Sequence, residues 1–413
     1  MAQHSQALDL EEALTAIRQQ LPSPQEQETC VLDEALGRVL AKPIDAALPL
    51  PPFVASAMDG YAVRSADVNA DSAYTLKDVG TSFAGHPYPN SIAPGQCVRI
   101  FTGAPLPAAA DLVIVQENVA DQSGEHVTFV PHTTQESHIR EVGNDVDKGQ
   151  RLAESGERIT PFMLGQFAAA GISTLQVFPR VRVGIFSSGD ELRDPGTPVE
   201  ELAYGQIYDS NRLTLAKLLD DLPIHCIDLG CLPDDPNEID DALQRATDTC
   251  DVLITSGGVS VGDADYIVER IRAQGELAFW RLNLKPGKPL AFGEIRGRWI
   301  FGLPGNPIST IITALLVAKP AIAHLAGTVM PTPMKIPAIL KSSITHTTGR
   351  TEYQRGQFTF DGSGYSVTHT GEQGSNRLSS FRHANCLIEV DKAQGDMRIG
   401  DQVLILPLTN LLH

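Results

Sequence analysis

The sequence predicts a multidomain α/β plus β protein, in which a doubly wound, mostly parallel α/β domain sits between β-rich domains. Three observations predict this. Between residues 180 and 327 short apolar strands alternate with amphipathic helices, the pattern of a parallel sheet covered on both faces. On either side the texture changes to brief apolar runs cut by Pro and Gly, as in antiparallel β structure. At 413 residues the chain exceeds one ordinary core, so about three or four domains are expected.

In chain order, Leu10, Ala13, Leu14, Ile17 and Leu21 recur at helical spacing. Asp9 and Glu12 form a capping-box pattern in front of them, so an amphipathic helix is expected over 9–21. A second short helix is expected over 31–39. From Pro43 to about Pro131 the runs TLKDVG, CVRIFTG, DLVIVQE and HVTFVP predict strands. A helix over 161–170 has Thr160 as its N-cap and Gly171 as its stop. The alternating region then reads VRVGIF, a helix over 212–220, IHCIDLG, a helix over 236–247, DVLIT and a helix over 264–274. A pair of strands and a helix over 307–316 close it. After Pro331, MKIPAIL, QFTF, YSVTHT, CLIEV and QVLILP predict a small C-terminal β domain.

Composition excludes several classes. A hydrophobic content of 42% describes an ordered globular chain. A net charge of -18 argues against nonspecific binding to nucleic acid or an anionic membrane. No basic start followed by an apolar run marks a signal peptide. The longest apolar helix, over 311–323, is expected to break at Lys319-Pro320 and to be too short for a bilayer. The six cysteines form no C-x-x-C pair, so reduced thiols and a cytoplasmic location are expected, with a zinc site as the lesser alternative. The histidines show no ligand spacing, and no G-x-S-x-G elbow supports a serine nucleophile.

The chemistry-bearing motifs fall where strands of the α/β region end. DVLITSGGVSVGDADY places Ser256, Gly257, Gly258 and Ser260 in a turn suited to an anion, with Asp263 and Asp265 behind them. An ordinary strand-to-helix turn explains the glycines but not both acids, and Asp265 reads either as a cap or as a metal ligand. NLKPGKP holds Lys285 and Lys288 on one turn, and GLPGNPIS, stiffened by Pro304 and Pro307, leads to Ser309, so a shared anion pocket is expected. Asp190 and Glu191 in SSGDEL, with Asp234 and Asp235 in LPDD, bring carboxylates to the same sheet edge, suiting a hard cation such as Mg²⁺. In the last domain Arg350, Arg355, Arg377 and Arg382 lie among Ser and Gly, which predicts flexible basic loops and a second anion contact.

Together SAMDGYA, IFTGAP, FSSGDEL, IYDSNR, TSGGVSVGDADY, AFWRLNLKPGKP, GLPGNPIS and GEQGSNRLSS resemble, in order, the motifs of the molybdopterin molybdenumtransferase family, similar to the E-domain of gephyrin. The resemblance runs from about residue 8 to 407. It implies an enzyme that inserts molybdate into adenylylated molybdopterin, releases AMP and uses Mg²⁺. It also implies a homodimer with the cleft shared between subunits, and contact with other proteins of cofactor synthesis. The implied division is an N-terminal helix (1–26) on the α/β domain, a connecting domain (27–45 and 145–178), a small β domain (46–144), the molybdopterin-binding α/β domain (179–328) and a C-terminal β domain (329–413).

Carried over by motif, the catalytic group is Asp59, Glu191, Asp234, Asp265 and Lys285, and the metal ligands are Asp145, Glu191, Asp234 and Asp265. Ligand contacts fall to Thr102, Ser256, Gly257, Gly258, Ser260, Lys288, Pro304, Pro307, Ser309, Arg350 and Ser375. The chain departs from the family pattern at Val54-Ala55, Pro233 and Arg281, where the family often has Asp-Asn, Arg and Lys. Two other readings remain open: a non-catalytic cofactor carrier or scaffold, and a molybdopterin adenylyltransferase.

Overall fold

The computed structural model describes residues 7–131, 136–259, 266–328 and 332–412. At its centre lies a six-stranded sheet in the order Ile224–Leu232, Val181–Ser188, Val252–Ser256, Arg298–Leu303, Pro289–Ile295, Gly275–Arg281. The first four strands are parallel, and Pro289–Ile295 runs antiparallel to both neighbours. Side chains alternate across this sheet. Val183, Ile185, Val252 and Ile254 fill a cluster on one face, while Phe186, Leu253 and Ile300 fill another on the opposite face. The helix Pro236–Thr249 packs Ile239, Leu243 and Ala246 into the second cluster.

The helix Leu10–Gln20 packs on the first face through Ala13 and Ile17. Its capping box is formed, the Asp9 amide donating to the Glu12 carboxylate at 2.9 Å. Two short antiparallel pairings, Glu28–Val31 with Thr174–Val177 and Ile44–Asp45 with Arg151–Ala153, join chain segments distant in sequence around one small core. Between them in sequence lies a six-stranded sheet containing Gly60–Val63, Gln96–Ile100 and Leu112–Val115.

The C-terminal strands close on themselves. Thr351–Phe360 pairs with Tyr365–His369 on one side and with Cys386–Val390 on the other, and Ile336–Leu340 and Gln402–Pro407 complete the ring. The two-residue strand Leu284–Lys285, from the central region, adds to this barrel beside Thr351 and Glu352.

Three expectations are corrected. The second helix is absent: residues 28–31 form a strand and 32–34 a single 3-10 turn, because Cys30 faces a core partner strand and the apolar spacing serves pairing. The sheet has three strands, not two, between residues 275 and 303. The apolar helix does not break at Lys319-Pro320 but runs from Pro307 to Leu325, long and apolar enough to cross a membrane yet 83% buried in this fold. A π turn over Ala314–Ala318 widens the helix just before Pro320, which lacks the N–H that a regular turn requires. Lys319 is tolerated there because it is fully paired. Its ammonium reaches Leu411 O at 3.1 Å, Leu412 O at 2.9 Å and the Asp221 carboxylate at 2.8 Å.

Candidate functional site

Because the four central strands are parallel, their carboxyl ends and the loops that follow share one edge. Ser188 and Leu232 end their strands in register, as do Ser256 and Leu303. A cavity of about 550 Å³ opens there. Its walls include Glu191, Asp234, Ser256, Gly257, Gly258, Pro304 and Pro307, seven of the residues singled out from sequence. Ser260 and Asp265 lie outside the described residues.

The local geometry explains the glycines. Gly257 has φ +102° and its amide donates to Leu303 O at 3.1 Å, joining the Ser-Gly-Gly turn to the strand that leads into Leu-Pro-Gly-Asn-Pro. A Cβ on Gly257 would lie 2.7 Å from the Ser188 carbonyl oxygen, and one on Gly258 would lie 3.2 Å from Ser188 Oγ. That Ser188 hydroxyl is buried in the cavity wall and has no hydrogen-bond partner among the described residues. A buried hydroxyl without a partner fits a bound ligand's oxygen.

Three loops are tied together by one side chain that the sequence reading did not select. The Asn211 amide nitrogen donates to Ser256 Oγ and to Gly305 O, both at 2.7 Å. Asp209, buried behind it, accepts from Ser187 Oγ at 2.6 Å and from the Asn211 backbone N–H at 2.9 Å. Asp-Ser-Asn ahead of a helix reads in sequence as an ordinary cap, and nothing local reports that Asn211 points back to two other loops. Asn376, from the C-terminal region, also lines the cavity. Its neighbour Ser375 contributes through the backbone, its carbonyl accepting the Ile308 amide at 3.0 Å.

The two aspartates of LPDD divide their roles. Asp235 is the N-cap of Pro236–Thr249, accepting the amides of Asn237 at 2.8 Å and Glu238 at 3.2 Å. Asp234 faces the cavity. Partial burial, together with the charges of Asp190 and Glu191, pushes its carboxyl above the usual range, against an opposing hydrogen bond from the Asp190 backbone. The Asp234 amide in turn donates to the Asp190 carboxylate at 3.1 Å.

Other sequence candidates lie elsewhere in the folded chain. Asp59 accepts both the amide and the hydroxyl of Thr102 at 2.8 Å, and these bonds hold its carboxyl below the usual range. Asp145 lines a separate cavity with Phe53, Gly103 and Arg140, so it does not join Glu191 and Asp234. The lysine turn borders two cavities, its Pro289 lining the first beside Leu-Pro-Gly-Asn-Pro. Lys285 lines another space, of about 680 Å³, with Glu352, Gln354 and His369, because strand pairing turns it toward the barrel. Lys288 is exposed, whereas Ser309 is buried in the helix that the lysine turn packs against. Arg350 is partly buried.

Arg355 corrects the expectation of flexible basic loops. It is fully buried, donating to Ser380 Oγ at 2.9 Å and to Gly374 O at 3.3 Å, and burial lowers its guanidinium to about 10. Arg281, which departs from the expected Lys, stacks its guanidinium over Trp280 at 4.1 Å.

Comparisons with known proteins agree with this layout. Family models match as MoeA N-terminal region (domain I and II) over residues 8–171, probable molybdopterin binding domain over 184–324 and MoeA C-terminal region (domain IV) over 337–408. The chain is 39% identical over 407 residues to the molybdopterin molybdenumtransferase of Haemophilus influenzae, covering 98% of this chain and 100% of that one. It is 31% identical to gephyrin of Dictyostelium discoideum, covering 97% of this chain and 62% of that one. The crystal structure of the molybdopterin biosynthesis MoeA protein of Pyrococcus horikoshii matches with a TM-score of 0.83 at 27% identity, covering 97% of this chain and 100% of that one.

Proposed function

The chain belongs to the molybdopterin molybdenumtransferase family, and from that premise we propose that it inserts molybdate into adenylylated molybdopterin and releases AMP. It is a transferase of molybdenum cofactor biosynthesis. The observation that carries the proposed site is the single cavity where Glu191 and Asp234 face the Ser-Gly-Gly and Leu-Pro-Gly-Asn-Pro loops. The loops and the unpartnered Ser188 hydroxyl suit phosphate oxygens, and the carboxylates suit water and cation positioning.

Mg²⁺ is part of the proposal. Burial, and after it the charges of Asp190 and Glu191, raises the proton affinity of Asp234, and a hard cation would relieve that excess of negative charge. Among the described residues no three His, Cys, Asp or Glu side chains group closely enough to hold an ion by themselves. Glu191 and Asp234 would hold such a cation together with substrate phosphate oxygens. When bound, the cation neutralises charge developing on the phosphate. Lys285, Lys288, Ser309, Arg350 and Ser375 are assigned to the oxyanion.

Asp59, Thr102 and Asp145 are absent from this chain's cavity, so in this reading a second copy brings them to it. The exposed side chains of Ile207 and Tyr208, which line the cavity, support a covered rim. A cytoplasmic location accords with six free cysteines. The domain division given above and docking to other proteins of the pathway complete the proposal.

AMP release from adenylylated molybdopterin, with and without molybdate, tests it in wild type and Asp234→Ala. Molybdate-dependent release that the variant loses is the expected result. Consumption of ATP instead would establish an adenylyltransferase, and tight binding without turnover a carrier.

A further inference from the structure

Glu352 is the register partner of Lys285 where the central region joins the barrel. Its Oε2 lies 3.0 Å from Lys285 Nζ, and its Oε1 accepts from Gln354 Nε2 at 3.2 Å. The Lys285 side chain is 42% exposed, while that of Glu352 is 5% exposed. On its own, then, the buried carboxylate cancels the lysine's charge at the cavity wall.

A third group alters that balance. The His346 ring is fully buried, with Nδ1 at 2.9 Å from Gln394 O, Nε2 at 3.0 Å from Arg350 O and Nε2 at 3.8 Å from Glu352 Oε2. Carbonyl oxygens only accept. Either neutral tautomer of His346 would leave one ring nitrogen's lone pair facing a carbonyl lone pair, in a place that water does not reach. Only the doubly protonated ring satisfies both.

We propose that His346 is held as an imidazolium, and that it positions Glu352 and offsets that carboxylate's charge, leaving the charge of Lys285 available at the cavity and making His346 and Glu352 positioning residues for a tetrahedral dianion. With His346 charged, the relay of Lys285, Glu352 and His346 carries one net positive charge. With His346 neutral it carries none, and a dianion loses its long-range attraction. The other titratable groups facing the pair are Asp396, whose carboxylate accepts the His346 backbone amide at 2.9 Å, and across the cavity His369 and Glu372. This inference rests on the oxyanion role proposed for Lys285.

Two measurements on the full chain test it. Nitrogen-15 NMR of the wild type is expected to show protons on both His346 ring nitrogens near neutral pH. Calorimetric titration with sodium molybdate near neutral pH should give an affinity that falls roughly five- to tenfold in His346→Gln. His369→Gln, which changes the other imidazole of the cavity, is expected to lose less. One unprotonated ring nitrogen on His346, or a wild-type molybdate affinity in His346→Gln, overturns the proposal while leaving Lys285 its role. A charged His346 in a chain that binds no molybdate overturns the role of Lys285 and the proposal together.

Discussion

The side-chain amide of Asn211 lies 2.7 Å from the Ser256 hydroxyl, and its same nitrogen lies 2.7 Å from Gly305 O. One residue at the start of the helix Asn211–Leu218 thereby fixes the spacing of the Ser-Gly-Gly and Leu-Pro-Gly-Asn-Pro loops. Site geometry here depends on a cross-loop bond more than on any single loop.

Asn211→Asp replaces a donor with an acceptor facing the Gly305 carbonyl. The loss is expected to be about 1–3 kcal/mol in stability and on the order of 100-fold in kcat/KM. Urea unfolding alongside steady-state AMP release measures both. Unchanged kcat/KM in a folded variant would refute the positioning role.

Gly257→Ala forces a Cβ to within 2.7 Å of the Ser188 carbonyl oxygen, at a φ of +102°. Backbone strain alone costs about 1–3 kcal/mol, and relief requires the Ser-Gly-Gly turn to move away from the cavity. Turnover should be lost, with the chain still folded. A spectroscopically native variant with wild-type rates would show that the turn is not needed in its present form.

Asp234 has a raised carboxyl, so its sign is the reverse of a stabilising acid. The folded chain holds the proton more tightly than the unfolded chain, and the ionised form is disfavoured by folding. That cost is present above the folded value and is relieved as pH falls through it. Asp234→Asn should therefore raise Tm by about 1–2 °C near neutral pH, with no gain at low pH, while abolishing turnover. Scanning calorimetry across pH checks the sign. A fall in Tm at neutral pH would contradict it.

Lys319 is fully buried, and its ammonium links the long central helix to the carbonyls of Leu411 and Leu412 and to Asp221. Removing it leaves the Asp221 carboxylate, itself only 16% exposed on its side chain, without this partner. Lys319→Ala should cost about 3–5 kcal/mol, whereas Lys319→Ala combined with Asp221→Ala should cost less than the sum. A double-mutant cycle measured by denaturant unfolding tests the coupling, and additive losses would exclude it.

Local pattern was enough for the strand ends of the central sheet. Gly257 and Gly258 after an apolar strand, Pro304 and Pro307 before a helix, and Asp9 with Glu12 each carry their conformational demand within a few residues. The same local reading failed at residues 31–39, where apolar spacing serves a strand partner more than 140 positions away. It failed again at Lys319-Pro320, where a π turn and distant carbonyls absorb what look like helix breakers. Arg355 looked like loop chemistry and is instead a buried strut, because its environment is assembled from residues 374 and 380.

The sequence by itself determined the alternation that makes the parallel sheet, and with it the common edge where Glu191, Asp234 and Ser256 meet. Backbone geometry and side-chain period are local properties, and a parallel sheet converts them into a shared edge without further information. Only the tertiary structure decided that Asn211 ties the loops, that Asp235 caps while Asp234 faces the cavity, and that Lys285 is paired with Glu352 in a different space. Those outcomes depend on hydrogen bonds and charges between groups far apart in the chain, whose distances are set only when the sheet, the barrel and the helices pack against one another.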